Sequence, residues 1–258
     1  MVLVYIFVFL FGLIIGSFLN CLIWRLYKDE TVLGRSYCPW CRKTIHWYDN
    51  IPILSFLLLR GRCRFCKKKI SWQYPLVELI TGLLFLLAFY LNFMSGFSVI
   101  KLCCDLVFIS LVIIIFIFDI RWYLVPLPVL ILGGLFFLIM DLILGYSIWQ
   151  ILLIVAIGIS FFALQYFFSI LIMKKKGLGE GDIWLGGFFA LAFPILGQFV
   201  GFLFLTYLIG GLTATVLLIF GLKSFYSKVP LGVFLSLAGI IMLFWGNQIV
   251  NWYLSLIF

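Results

Sequence analysis

Long apolar runs, separated by short polar breaks, make up most of the chain. Runs of about twenty residues have the length of a helix that crosses a bilayer. Hydrophobic residues form 66% of the sequence and charged residues 10%, which excludes an ordinary water-soluble domain. The pattern predicts eight membrane-crossing helices, over residues 1–24, 76–95, 99–118, 125–145, 148–173, 182–197, 199–221 and 230–250.

One polar stretch interrupts this pattern between the first and second apolar runs. The first run has no basic segment before it and no small-residue cleavage site after it, so we interpret it as a membrane helix and not a leader. We therefore predict an all-α polytopic membrane protein with a small inserted module. Residues 1–25 are the first transmembrane helix, 26–75 the module, and 76–258 a seven-helix membrane domain.

Four of the seven cysteines form two CxxC pairs inside the module, Cys38 with Cys41 and Cys63 with Cys66, with 21 residues between the pairs. Four thiolates at this spacing can surround Zn²⁺ and stabilise a segment too poor in apolar residues to form its own core. A closed four-thiolate shell leaves no position for catalysis, which favours structural zinc. Thiol redox chemistry is the alternative, and His46 is a further candidate ligand.

The basic residues are concentrated in the same module. The net charge is +9, and 11 of the 18 Lys and Arg lie between Arg25 and Lys69. A cytosolic module, with alternating helices, places 17 of the 18 basic residues on the cytosolic side and only Lys101 outside. No basic groove can be separated from this topology signal, so we predict no nucleic-acid partner.

Two acids at the ends of apolar runs are the candidate catalytic residues. Asp119 closes the third span, where a helix C-terminus disfavours a carboxylate, so capping does not explain it. Asp182 opens the sixth span after glycines at 177, 179 and 181, which we expect to adopt positive φ and to let a substrate chain approach. Alternation places both acids at the same, cytosolic depth. An N-cap role remains the alternative for Asp182, and Glu180 is a rival acid.

Two carboxylates that share one proton can hydrolyse a peptide bond without a metal or a covalent intermediate. One carboxylate activates water while the other protonates the leaving amine. Paired acids at membrane depth also fit a proton-coupled transporter, and the module also fits a noncatalytic assembly factor.

Six short segments along the chain form an ordered set of motifs. Several mix small and polar residues into apolar runs, and two contain the candidate acids. They are Gly16–Arg25; the cysteine pairs with Asp49–Pro52 and Arg60–Cys63; Tyr74–Leu79; Asp119 with Val125 and Pro126; Gly179–Asp182; and Lys228–Leu235.

This ordered set resembles the type IV prepilin peptidase family. The resemblance implies a membrane aspartic endopeptidase that removes the basic leader of type IV prepilin-like precursors after a glycine, at the cytosolic face of the bacterial inner membrane. It implies Asp119 and Asp182 as catalytic residues, with Gly179, Glu180 and Gly181 in a substrate loop. It also implies methylation of the new N-terminus with S-adenosylmethionine.

The sequence departs from the family pattern at two positions near the acids. Leu127 stands where Asp or Asn is frequent, and Trp184 stands where Lys is frequent. Neither position is a proposed catalytic acid, so the expectation of hydrolysis is unchanged. Glu78, at the start of the second span, is interpreted as a structural residue, with a contact to the methyl-transfer or substrate site as the alternative.

Overall fold

The computed structural model describes residues 1–173, 179–222 and 229–257, and helices are the main regular structure in this part of the chain. A single 3₁₀ turn, Trp47–Asn50, lies in the polar module. The helices are α1 (Val2–Lys28), α2 (Leu54–Leu58), α3 (Gln73–Met94), α4 (Val99–Trp122), α5 (Leu127–Ile143), α6 (Ile148–Met173), α7 (Glu180–Ala192), α8 (Leu196–Ile219) and α9 (Leu231–Ile257).

Each of the eight predicted spans coincides with a helix, which confirms the all-α polytopic fold. Six of these helices in the described residues are long and apolar enough to cross a membrane, and α5 is a shorter apolar helix of 17 residues. α7 has only 13 residues, about 20 Å of helix against a hydrocarbon core of about 30 Å. Pro194 explains why it ends before the predicted position, because the residue before a proline disfavours helical geometry.

The first of two compact units, Met1–Ile114, contains the module and the pair α1 and α3. Small residues let these two helices approach closely. A Cβ at Gly12 would lie 2.7 Å from the Cα of Gly82, and a Cβ at Gly16 would lie 2.7 Å from the Cα of Glu78. The side-chain amide of Asn20 donates to the carbonyl of Tyr74 at 3.1 Å, so the first motif packs α1 against α3.

The second unit, Ile115–Phe258, holds both candidate acids. Its shortest helix, α7, packs against α5 and α6 and buries the residues that follow Asp182. α7 and α6 approach each other closely at two glycines, since a Cβ at Gly186 would lie only 2.7 Å from the carbonyl oxygen of Gly158. The buried middle of α7 therefore fixes the position of its N-terminal turn.

Some residues used in the sequence interpretation lie outside the described part of the chain. They are Gly177 of the predicted loop and five of the basic residues assigned to the cytosolic side. These five are Lys174, Lys175, Lys176, Lys223 and Lys228.

Candidate active site

Asp119 lies near the C-terminus of α4, and the backbone of a second helix, α9, donates hydrogen bonds to its carboxylate. The side chain is buried, with 7% of the residue exposed. Its Oδ2 accepts the backbone N–H of Val233 at 3.1 Å and also interacts with the backbone N–H of Gly232. Both N–H groups belong to the first turn of α9, where they have no partner within the helix. The N-terminus of α9 therefore stabilises a carboxylate that the C-terminus of α4 disfavours.

Asp182 is also held at a helix N-terminus, in the first turn of α7. Its Oδ2 accepts the backbone N–H of Gly179 at 2.9 Å, which makes Gly179 the N-cap residue and Asp182 the third helical residue. Asp182 is therefore not the N-cap residue, and the N-cap alternative is wrong. Its side chain nevertheless accepts one backbone N–H group that the helix leaves free. No described residue donates to its Oδ1, so one oxygen of the carboxylate keeps its acceptor capacity.

A single cavity of about 660 Å³ brings the two acids together. Asp119 and Asp182 both line it and are close enough to interact electrostatically. The remaining wall is mostly apolar, so a ligand bound there would be partly removed from water. The other residues of this wall are Tyr123, Leu124, Val125, Leu127, Gln165, Gly179, Glu180, Gly181, Trp184, Tyr207, Val229, Pro230 and Leu231.

The glycines beside Asp182 act by their small size and not by left-handed geometry. Gly179 has φ of −82°, and Gly181 lies inside α7, so the expectation of positive φ is wrong for both. A Cβ at Gly181 would lie 2.5 Å from Cγ2 of Val125, which is too close for any side chain. Gly181 therefore lets the first turn of α7 pack directly against the segment that follows α4.

Glu180, the rival acid, differs from Asp182 in its surroundings. It is exposed, and its Oε1 accepts the hydroxyl of Tyr166 at 2.9 Å. It lines the same cavity but lies farther towards solvent than the half-buried Asp182. Glu180 therefore lies at the edge of the cavity, which makes it a weaker candidate than Asp182 for the second acid.

A polar pair in the cavity wall was not predicted from the sequence. The hydroxyl of Tyr207 in α8 donates to Oε1 of Gln165 in α6 at 2.8 Å. This bond orients the carboxamide and leaves its N–H groups without a partner among the described residues. The sequence does show a polar residue, Gln165, within the apolar run 148–173, but it does not show which residue of another helix this side chain contacts.

The second predicted site, the four-cysteine cluster, lies in the other unit and forms as predicted. The sulfur atoms of Cys38, Cys41, Cys63 and Cys66 all lie within 4.8 Å of one another. Sγ of Cys38 and Sγ of Cys66 are 3.8 Å apart, which is the edge of a tetrahedron with Zn–S bonds of about 2.3 Å. The donor set and spacing therefore fit a four-thiolate zinc site. His46 is not part of the cluster and stacks on Tyr48, with ring centres 5.1 Å apart.

The two cysteine pairs sit on two copies of one backbone turn. In the first, the N–H of Cys38 donates to the carbonyl of Lys43 at 3.0 Å. In the second, the N–H of Cys63 donates to the carbonyl of Lys68 at 2.9 Å. The residue after each second cysteine has positive φ, 57° at Arg42 and 59° at Lys67. A repeat of this kind turns both pairs of thiols towards a shared point.

Two further contacts fix the module. Arg64 donates from Nε and Nη2 to the two carboxylate oxygens of Asp49, at 2.8 and 2.7 Å. These hydrogen bonds hold the pKa of Asp49 below its usual value, against the opposing effect of burial. Glu78, buried in α3, accepts the backbone N–H of Ile53 at 2.7 Å. The contact gives Glu78 a structural role in joining the module to α3.

All seven cysteines are free thiols. The three cysteines outside the module lie in apolar runs, which predicts buried thiols, but Cys103 is exposed on α4 and Cys21 and Cys104 are only partly buried. An apolar run cannot distinguish a lipid-facing position from an interior one, because both favour the same residue types.

The first comparison with known proteins concerns the N-terminal part of the chain. The family described as "Bacterial Peptidase A24 N-terminal domain" matches residues 10–92. This range includes most of α1, the whole four-cysteine module and nearly all of α3. No solved structure matches the chain.

Curated relatives extend the match over almost the whole chain. A prepilin leader peptidase/N-methyltransferase of Aeromonas hydrophila is 35% identical over 96% of this chain and 93% of its own length. One of Bacillus subtilis is 33% identical over 96% of this chain and 97% of its own. One of Myxococcus xanthus is 37% identical over 70% of this chain, and there the match spans 53% of the relative.

These relatives are named as enzymes, which favours an enzyme over the transporter and assembly-factor alternatives. Identity above 30% over nearly the full length of both chains, together with the helical membrane fold, establishes the relationship. The chain belongs to the prepilin leader peptidase/N-methyltransferase family and is a multi-pass membrane enzyme.

Proposed function

We propose that this enzyme is an aspartic endopeptidase whose catalytic residues are Asp119 and Asp182. The observation that supports this most strongly is that two carboxylates, each held at a helix N-terminus, line one cavity. Two carboxylates that interact across one mostly apolar cavity cannot readily ionise together, so we infer that the pair shares a proton.

The reaction needs only the dyad and a water molecule. The ionised carboxylate takes a proton from the water, and the water oxygen bonds to the scissile carbonyl carbon. The protonated carboxylic acid then gives its proton to the leaving nitrogen, the C–N bond breaks, and a leader acid and a free amine are released. Either aspartate can begin as the base, because each has one stabilised oxygen.

The substrate is a type IV prepilin-like precursor, cut after glycine at the end of its basic leader. The apolar wall of the cavity suits the hydrophobic segment that follows the leader in such precursors. Gly179, Glu180 and Gly181 contact the substrate at the edge of this cavity, although they form the N-cap and first turn of α7 and not the predicted loop. The concentration of basic residues in the module supports a cytosolic active site in the bacterial inner membrane.

The same enzyme then methylates the new N-terminal amine with S-adenosylmethionine as the methyl donor. S-adenosylmethionine would supply the methyl group, and the amine would lose one proton as it takes up that group. This activity is proposed from the names of the relatives, and we assign no residue to the donor site.

The experiment that tests the proposal uses the full chain in membranes with a purified prepilin-like precursor. Mass spectrometry of the product should show loss of the leader after glycine without any added cofactor. With S-adenosylmethionine, the product should gain the mass of one methyl group. An intact precursor in both reactions would contradict the peptidase, and a cleaved but unmethylated product would contradict only the second activity.

We also propose that Gln165 binds the substrate backbone through its carboxamide N–H groups, with Tyr207 as a positioning residue. Replacing Gln165 by Met keeps the length of the side chain and removes the donor. We expect kcat/KM to fall about tenfold, which corresponds to about 1.4 kcal/mol, mostly through a higher KM. Kinetics on a precursor at several concentrations would measure this effect.

The matched control is Gln198→Met, because Gln198 bonds Asn247 at 2.7 Å on an exposed surface and does not line the cavity. Tyr207→Phe should give a smaller loss, and adding it to Gln165→Met should cause no further change. Independent, additive effects of the two substitutions would show that Tyr207 does not act through Gln165.

We propose structural zinc at Cys38, Cys41, Cys63 and Cys66, where it cross-links the two turns of the module. Removing zinc with a chelator, or replacing Cys63 by Ser, should make residues 26–75 sensitive to limited proteolysis. Cys21→Ser is the control, since Cys21 is a free thiol outside the cluster. Zinc content and protease resistance that are unchanged in Cys63→Ser would contradict the assignment.

A further inference from the structure

The short helix α2 presents an apolar edge that the proposed peptidase chemistry does not use. This edge consists of Leu54, Leu57 and Leu58, which are 49%, 62% and 75% exposed. We call these three residues the α2 edge. Phe56 points the other way and packs on Trp72, with ring centres 4.9 Å apart. One helix face is therefore anchored in the module, while the side chains of the other face are about half exposed or more.

The start of α2 is anchored at the level where α3 enters the membrane. The backbone N–H of Ile53, directly before α2, donates to Oε2 of Glu78 at 2.7 Å. Glu78 lies in the second turn of α3, next to the exposed apolar side chains Leu76 and Leu79. Five residues of helix extend only about 8 Å. The α2 edge therefore lies close to the depth at which the lipid-facing surface of α3 begins.

Ile53 itself adopts an unfavourable backbone conformation, with φ of 59° and ψ of −50°. Such a conformation is rare for a β-branched residue and persists only where its surroundings enforce it. The carboxylate of Glu78 provides that restraint. The chain turns sharply at Ile53, directly before α2. The hydrogen bond from Ile53 to Glu78 therefore fixes the start of α2 beside α3.

Unpaired cations follow the α2 edge along the chain. Arg60, Arg62 and Lys69 are exposed, and none of them forms an ion pair with a described acid. An apolar edge with adjacent cations is the pattern of a segment that lies in the headgroup region of an anionic bilayer. The same cations would repel the basic leader of a prepilin, which disfavours the substrate as the occupant of this surface.

We propose that α2 is an interfacial helix. The α2 edge inserts among the headgroups of the bilayer that α1 and α3 cross, and Arg60, Arg62 and Lys69 bind anionic phospholipid headgroups. This contact would hold the four-cysteine module against the membrane surface. The proposal does not depend on the role of Asp119 or Asp182.

The test places a benzophenone amino acid in the full chain at position 57 or 58, or at Trp40 as the control. Trp40 is 65% exposed and lies in the first cysteine turn, outside α2 and α3. All three positions are more than half exposed, so the probe requires no repacking. The protein is reconstituted in nanodiscs of phosphatidylcholine with a minority of phosphatidylglycerol and irradiated, and the adducts are identified by mass spectrometry.

Phospholipid adducts should form several-fold more often at positions 57 and 58 than at position 40. Phosphatidylglycerol should be enriched above its share of the lipid, and the combined substitutions Arg60→Gln, Arg62→Gln and Lys69→Gln should remove that enrichment while adducts persist. Equal yields at the three positions would overturn the proposal. Replacement of lipid adducts by precursor adducts, when a prepilin-like precursor is added, would instead identify a substrate-docking surface.

Discussion

Replacing either Asp119 or Asp182 by Asn is expected to abolish leader cleavage. Asn keeps the shape of the side chain, and its carbonyl can still accept the N–H of Val233 or of Gly179. It cannot exchange the proton that the dyad passes between water and the leaving amine. We expect kcat/KM to fall by roughly 10³-fold or more in each single variant. Gel and mass analysis of precursor cleavage in membranes, at matched enzyme levels, would measure this loss.

The matched control is Asp141→Asn, which alters an acid that is also buried in a membrane helix, at 5% exposure, but does not line the cavity. Its cleavage activity should stay near that of the native enzyme. Glu180→Gln tests the rival acid directly. An inactive Glu180→Gln together with an active Asp182→Asn would transfer the catalytic role to Glu180.

Replacing Gly232 by Ala is expected to cause the next largest loss. An added Cβ would lie 2.8 Å from Oδ2 of Asp119, 3.1 Å from its Cγ and 3.2 Å from its Cβ. The carboxylate must therefore move, and its bond to the N–H of Val233 must lengthen. Displacing a catalytic group by about 1 Å can cost about 10²-fold in rate, so we expect a drop of that size in kcat.

Gly211→Ala is the matched control for this substitution. Gly211 also lies in a membrane helix, and a Cβ there meets no atom within 4 Å. We expect native activity and unchanged membrane accumulation for this variant. Equal activity of Gly232→Ala and Gly211→Ala would show that the first turn of α9 does not position Asp119.

Both carboxylates accept hydrogen bonds at a helix N-terminus. This explains how one chain keeps both of them in an apolar setting. Each uses one oxygen to accept N–H groups that a helix end leaves without partners, at the first turns of α9 and α7. The helix dipoles favour the charged form of an acid, while burial and the neighbouring acid oppose it. A pair under these opposing influences is suited to hold a single proton between two sites.

The sequence predicted the features that depend on local composition. Apolar runs located the helices because a bilayer demands about twenty apolar residues for each crossing. The spacing of Cys38, Cys41, Cys63 and Cys66 predicted their cluster because two CxxC turns form locally. Equal depth for Asp119 and Asp182 followed from counting the helices.

The features that depend on lateral packing could not be predicted. Nothing near Asp119 in the chain indicates that Val233, 114 residues later, supplies its hydrogen bond. The pair formed by Gln165 and Tyr207 likewise joins two separate helices. The role of Gly181 was misread because a glycine required for close packing against Val125 and one required for positive φ look identical in sequence.

The most direct test of the two-carboxylate mechanism is binding of a substrate peptide whose scissile amide is replaced by a hydroxyl-bearing tetrahedral isostere. A dyad that shares one proton should bind this transition-state analogue at least about 10²-fold more tightly than the matching uncleaved peptide. Asp119→Asn and Asp182→Asn should each lose that preference while still binding the substrate peptide. A native enzyme without the preference, or variants that retain it, would contradict the account.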